Sequence, residues 1–238
     1  MTTKAVPKVK RDAHRPPMEP LVQESTPSMI ANRVREAIAS GIIAPGSQLG
    51  EANLARELGV SRGPLREGLQ RLTAEGLLIS IRNRGLFVIE MTADRVQDMY
   101  LARQAVERAA AERIHQGDPA AAGASLMKVI DVMAAARSSR AEGDADIAFH
   151  ELLVSLASSP RLSRMHRILM TETRMCIHAL EASYASGDPV RVEEHRAIAQ
   201  SFVDADAKAS DRLLVAHMAD AIRRLTRSGV EPDPLPSV

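Results

Sequence analysis

The stretch from Leu54 to Val88, LARELGVSRGPLREGLQRLTAEGLLISIRNRGLFV, limits what this chain can become more than any other. Leu54 and Leu58 share one helical face, and Gly59 stands where a helix would stop. Gly59-Val60-Ser61 makes a tight corner, with Ser61 placed to cap a second helix. Pro64 falls in that helix's first turn, where a missing N–H does little harm. Leu65, Leu69 and Leu72 recur at helical spacing and can pack on the helix before, while Gly63, Arg66 and Gln70 project from the other side. Arg62 sits beside the exposed N-terminal turn. Two helices joined by a short Gly-containing turn, the second presenting arginine, describe a helix-turn-helix. After Gly76, Leu77 to Ile81 and Leu86 to Ile89 read as strands joined by Arg82-Asn83-Arg84-Gly85, a small basic wing.

GVSRGPLREGLQRL followed by EGLL and NRGLFV resembles the winged helix of the GntR family of bacterial transcription regulators, over about sixty residues from Ile30 to Ile89. The segment Ile42 to Leu49, with its Pro45-Gly46 turn, matches the piece that precedes the second helix in that family. Two positions depart from the pattern: Gly63 stands where the family usually has a polar residue, and Gly68 where it has Ala. The resemblance implies that Arg62 and Arg66 meet bases or nearby phosphates. Ser61, Gly63, Asn83, Arg84 and Gly85 complete the expected DNA-contacting set.

Composition bounds the rest. The chain has 238 residues, 45% of them apolar but only 2% aromatic, with Trp absent and Ala, Leu, Arg and Glu favouring helix. No apolar run reaches the length of a membrane span, the start MTTKAVPKVKRDAHRPP lacks a signal-peptide core, and the single Cys176 suits a reducing cytoplasm. The expected class is a cytoplasmic, mostly helical protein with no membrane partner. Net charge is +1, with a weak basic bias toward the N-terminal part, so charge by itself would not suggest DNA.

Taken in order, residues 1–27 read as a disordered arm in which Lys4, Lys8, Lys10 and Arg11 are solvated or brush DNA. Ser28 is the expected cap of a first helix striped by Ile30, Val34 and Ile38. The winged head is expected over 28–91 and an all-α domain over 92–229, followed by a disordered tail over 230–238. In that second domain Thr92 caps a helix reaching Gly117, and further helices are predicted at 119–141, 144–158, 160–182, 189–205 and 207–227. Six helices in this length make an all-α bundle.

Four side chains in the bundle invite a metal hypothesis. Asp146 and His150 stand at i and i+4 on one face. His195 shares its face with Val192, Ile198, Ala199 and Phe202, and His217 shares its own with Leu213, Leu214 and Ala221. One carboxylate and three imidazoles converging inside a bundle would bind a divalent ion such as zinc or nickel. Spacing also permits three structural core histidines, and His166, on an apolar face with no evident partner, illustrates that alternative.

DIAFHELL, from Asp146 to Leu153, resembles the D-x-x-F-H-x-x-L signature of the FCD effector domain in the FadR subfamily of GntR regulators. His195 in EEHRAI and His217 in LLVAHM match the two other metal positions of that domain. The resemblance runs from about Asp94 to Arg227, and six helices make it the shorter, VanR-like version. Ser159-Pro160 departs from relatives that commonly have Asn there. What the resemblance implies is a metal that helps grip a small organic acid, with Arg103 on the first effector helix assisting and Arg174 a second candidate. A guanidinium offers carboxylate two parallel donors, which suits an acid. Arg103 also stands four residues from Glu107, the spacing of an ordinary helix-surface ion pair.

The whole is expected to be a homodimeric, ligand-responsive regulator of a palindromic operator, most simply a repressor. Its rivals are a metal-free regulator with a structural histidine cluster and a metal-dependent hydrolase with an appended DNA-binding head.

Overall fold

The computed structural model describes residues 24–179 and 189–227. The expected arm, apart from residues 24–27, and the expected tail lie outside them, as do the last residues of the predicted 160–182 helix. The head runs α1 (Thr26–Ala39), β1 (Gln48–Leu49), α2 (Glu51–Glu57), α3 (Arg62–Ala74), β2 (Leu78–Ile81) and β3 (Gly85–Val88). Leu65, Leu69 and Leu72 of α3 are buried against Ile30, Val34 and Ile38 of α1, so the leucine stripe becomes the head's core. The wing is an antiparallel β2–β3 hairpin with Ser80 opposite Leu86.

Two details of the head differ from the sequence reading. Helix α1 starts at Thr26, not after Ser28: Ser25 is the cap, its hydroxyl accepting from the Ser28 amide at 3.4 Å. Pro27 sits in the first turn, where the amide it lacks would have had no helical partner. The Pro45-Gly46 segment, read as a turn alone, also supplies β1, which pairs with β3 and makes a three-stranded sheet in the order β1-β3-β2.

Gly68 explains one departure from the family pattern. A Cβ there would lie 2.9 Å from the Pro27 carbonyl oxygen and 2.9 Å from Ile30 Cγ2, so α3 touches the first turn of α1 through a bare backbone. Gly68→Ala gains about 1 kcal/mol of helix propensity and meets an overpacking cost of roughly 1–3 kcal/mol. The expected net result is destabilisation. A urea midpoint raised by this substitution would show that α1 yields freely.

The second domain comprises α4 (Ala93–His115), α5 (Pro119–Ala134), α6 (Ser139–Leu156), α7 (Pro160–Ala179), α8 (Pro189–Val203) and α9 (Ala207–Arg227). These make a mainly helical protein, a winged helix-turn-helix with a small sheet followed by a helical bundle. Thr92 caps α4 as expected, accepting from the Arg95 amide at 3.3 Å. The predicted 119–141 helix is shorter, because the break falls at residues 135–138 and Ser138 caps α6 by accepting from the Ala141 amide. Gly143, read as punctuation, lies inside α6. Its missing side chain admits α7, since a Cβ would stand 2.7 Å from Ile177 Cγ2.

Head and bundle share one core. Met91, Val96, Met99 and Tyr100, together with Met175, Cys176, Met218 and Leu225, join the apolar cluster of α1, α3 and the sheet. A second cluster fills the bundle's other end with Leu126, Ile130, Phe149, Leu153, Ile198, Phe202 and Leu214. Phe149, Ile198 and Leu214 therefore stand close in sequence to the three candidate ligand histidines, which the helices carry into the interior with them.

Candidate metal centre and nucleic-acid interface

Helices α6, α8 and α9 bring Asp146, His150, His195 and His217 together, all buried, with one ligand atom from each lying within 4.8 Å of every other. His195 Nε2 is 3.2 Å from His150 Nε2 and 3.2 Å from Asp146 Oδ1. The rings pack tightly, His150 stacked on His217 and both at steep angles to His195.

The opposite ring nitrogens decide what the centre can hold. His195 Nδ1 lies 2.8 Å from the Arg191 carbonyl oxygen, which can only accept, so Nδ1 carries the proton and donates. His150 Nδ1 donates to Glu107 Oε2 at 2.8 Å, and His217 Nδ1 to Glu194 Oε2 at 3.1 Å. Burial opposes the charge on both glutamates. It is outweighed for Glu107 by His150, Arg103 and His166, and for Glu194 by His217 and Arg224, so both carboxyls are held below their usual range and accept. Every imidazole then turns a bare Nε2 lone pair inward. Burial likewise opposes the Asp146 charge, but the nearby Arg103 guanidinium favours it, and that carboxyl is held well below its ordinary value. Burial and Arg103 push His150 down to about 3.

Four electron-pair donors therefore face one another with no N–H or O–H between them. A single proton relieves one such contact; a cation at the centre relieves all of them. Donors about 2.1 Å from a common ion at tetrahedral angles stand about 3.4 Å apart, close to the 3.2 Å separations here. The orientation of each imidazole by a carboxylate or carbonyl is the usual outer support of a metal-bound histidine. The residues fit a divalent ion.

Arg103 is buried beside this cluster. Its Nε donates to Glu107 Oε1 at 2.7 Å, its guanidinium lies 5.2 Å from the Tyr100 ring centre, and its Nη2 is buried without a hydrogen-bond partner among the described residues. The Arg103–Glu107 spacing does give an i,i+4 ion pair, but an interior one. His166, without an evident partner in the sequence, is placed 3.0 Å from the same Glu107 oxygen. Glu107 thus gathers Arg103, His150 and His166 from three helices. Sequence reasoning gave it only the role of a surface partner; its place between Val106 and Ala110 on the buried face was the available signal. Glu194 and Arg191 were missed too, since nothing in their spacing points to the backs of His217 and His195. Arg174 does not join the centre. It reaches Glu151 at 3.7 Å and lines a separate cavity.

In the head, Ser61, Arg62, Gly63, Arg66, Asn83, Arg84 and Gly85 are all exposed. Ser61 occupies the N-cap position of α3, although its side chain makes no capping bond, which leaves the hydroxyl free to meet an external oxygen. Arg66 Nε donates to Glu51 Oε2 at 2.7 Å across the turn between α2 and α3. A Cβ at Gly63 would meet nothing within 4 Å, so this stretch of α3 is a smooth approach between two arginines. Asn83 and Gly85 take positive φ (61° and 102°), shaping the wing tip. Arg84 holds its guanidinium 5.4 Å from the Phe87 ring centre, and its carbonyl accepts from Gln48, which ties the tip to β1.

A reading head joined through one core to a bundle with a buried donor pocket defines a class: a DNA-binding regulator that carries its own sensor domain. The chain belongs to the gntR family of bacterial regulatory proteins, whose model matches residues 26–88, and carries an FCD domain, whose model matches residues 98–220. It is 27% identical to the HTH-type transcriptional regulator YdhC of Bacillus subtilis over 78% of this chain and 84% of that one. It is 31% identical to the gluconate operon transcriptional repressor of Bacillus licheniformis over 56% of each. Among solved structures, a GntR transcriptional regulator from Rhodococcus sp. RHA1 superposes with a TM-score of 0.72 at 28% identity, covering 85% of this chain and 98% of that one. No helix among the described residues is long and apolar enough to cross a membrane.

Proposed function

We propose that this regulator works as a homodimer whose hold on a palindromic operator is set by a small organic acid at the metal centre. The observation that carries the reading is the set of inward lone pairs from Asp146, His150, His195 and His217, with the unpartnered Nη2 of buried Arg103 nearby. A bound zinc, nickel or similar imidazole-preferring ion would supply a Lewis-acidic position for a carboxylate oxygen. Arg103 would donate to the acid's remaining oxygens, and Tyr100 and Glu107 hold that guanidinium in place. Two winged heads would then enter successive major grooves, with Arg62 and Arg66 toward bases and phosphates and the wing residues Asn83, Arg84 and Gly85 along the backbone. Relatives named as operon repressors support repression as the sign of control.

Glu107 and Glu194, the carboxylates behind the centre, are both engaged by imidazoles and by Arg103 or Arg224, which leaves neither free as a general base. This favours a sensor over a hydrolase, and a turnover assay with small esters and amides checks it. The direct test of the sensor is titration calorimetry against mono-, di- and hydroxy-acids. One acid is expected to bind the metal-loaded protein and change operator affinity, and to do neither for metal-stripped protein or Arg103→Ala. A tight binder that is uncharged, or that binds equally without metal, defeats the mechanism.

A further inference from the structure

A cavity of about 740 Å³ opens between head and bundle, walled by α1 and α2 on one side and by α6 and α7 on the other. None of the four metal-centre residues lines it. The head's cations in it are already paired: Arg33 with Glu36 at 3.6 Å, and Arg35 with Glu75 through a forked contact. Those of the bundle are engaged less fully, one through a single long contact and two through none among the described residues. Arg167 and Arg174 stand at i and i+7 on one face of α7, and Arg140 faces them from the first turn of α6. Arg174 reaches Glu151 only at 3.7 Å and keeps a buried Nε without a hydrogen-bond partner among the described residues. Arg140 and Arg167 have no side-chain hydrogen bond or ion pair within the described residues. Ile43, Leu58 and Met170 supply an apolar wall.

We infer that this cavity is a second ligand site, which takes a small organic monoanion, a carboxylate or sulfonate on an apolar body, and clamps the head to the bundle. The three bundle arginines provide the fork-like donors that oxyanions prefer. Asp144, Glu151 and Glu57 share the cavity and would repel a more highly charged ligand. The volume lies within the ordinary range for small-molecule pockets. Because both domains form the walls, a ligand bound there favours one placement of the head. Operator DNA must then alter the ligand's affinity by the same factor as the ligand alters the operator's. The site needs no metal, which separates it from the acid site proposed above.

The test uses the full chain and 8-anilinonaphthalene-1-sulfonate, a fluorescent organic monoanion. One saturable site per chain is expected, equally strong in metal-loaded, chelator-stripped and Arg103→Ala protein, and shifted in affinity when operator is present. Arg167→Gln/Arg174→Gln should weaken it at least tenfold. Ala37→Glu, which adds a negative charge from the head wall, should do the same while circular dichroism shows an unchanged fold. The inference is overturned if no saturable site exists, if both variants bind the dye as wild type does, or if binding requires the metal. Failure of the acid–metal reading would appear elsewhere, as acid binding that ignores chelation and Arg103.

Discussion

Wild-type protein is expected to purify with about one divalent ion per chain, and His195→Ala to purify without it and to melt well below wild type. The Nε2 of His195 is the point nearest both His150 and Asp146, so its removal opens the centre. A ligand present at a thousand times its dissociation constant stabilises by about 4 kcal/mol. For a chain of this size that corresponds to a loss of roughly 8–16 °C in melting temperature. Glu107→Gln should be milder, weakening metal about 10–100-fold, because it only loosens His150 from behind. His166→Ala contacts the same glutamate but no ligand atom, and should retain full metal content. Elemental analysis and thermal melts on the three variants decide between sensor and structural histidine cluster. A wild-type chain that takes up no metal after reconstitution, or a His195→Ala chain that retains it, removes the centre from the account.

Arg66→Ala is expected to abolish specific operator binding while the protein remains folded. One good base contact carries about 1–3 kcal/mol of discrimination, so a complex with two heads should lose about 2–6 kcal/mol. Arg66 is held by Glu51 at 2.7 Å across an exposed surface, a geometry that aims the guanidinium before DNA arrives. Exposed pairs of this kind contribute little to stability, so Glu51→Ala should leave folding intact and reduce specificity less than loss of the arginine itself. Arg62→Ala should behave differently again, weakening all sequences alike and lowering the salt slope by about one, as a phosphate contact does. Electrophoretic shifts on cognate and scrambled DNA separate these outcomes. Unchanged affinity in folded Arg66→Ala would take α3 out of the groove.

The head was legible almost residue by residue. Leu65, Leu69 and Leu72 could bury only one face of α3, and that burial fixes where Arg62 and Arg66 point. Local punctuation served less well. Gly143 reads as a helix end in the sequence and is instead a close contact with Ile177, because glycine signals missing volume as readily as missing structure. Gln48-Leu49 gained its strand only by pairing with Phe87 and Leu86, nearly forty residues away.

By itself the sequence determined which side chains share a helical face, because that depends on the 3.6-residue turn alone. It therefore put Asp146 beside His150 and aimed His195 and His217 inward. Only the tertiary structure decided that these faces meet. It also turned an apparently ordinary Arg103–Glu107 pair into an interior junction that binds His150 and His166 and frees one Arg103 nitrogen. The same holds for the placement of Arg174 in the cavity between the domains and for the core that the head shares with α7 and α9. Contacts between distant segments depend on how whole helices pack, through volumes and close approaches that no local periodicity encodes.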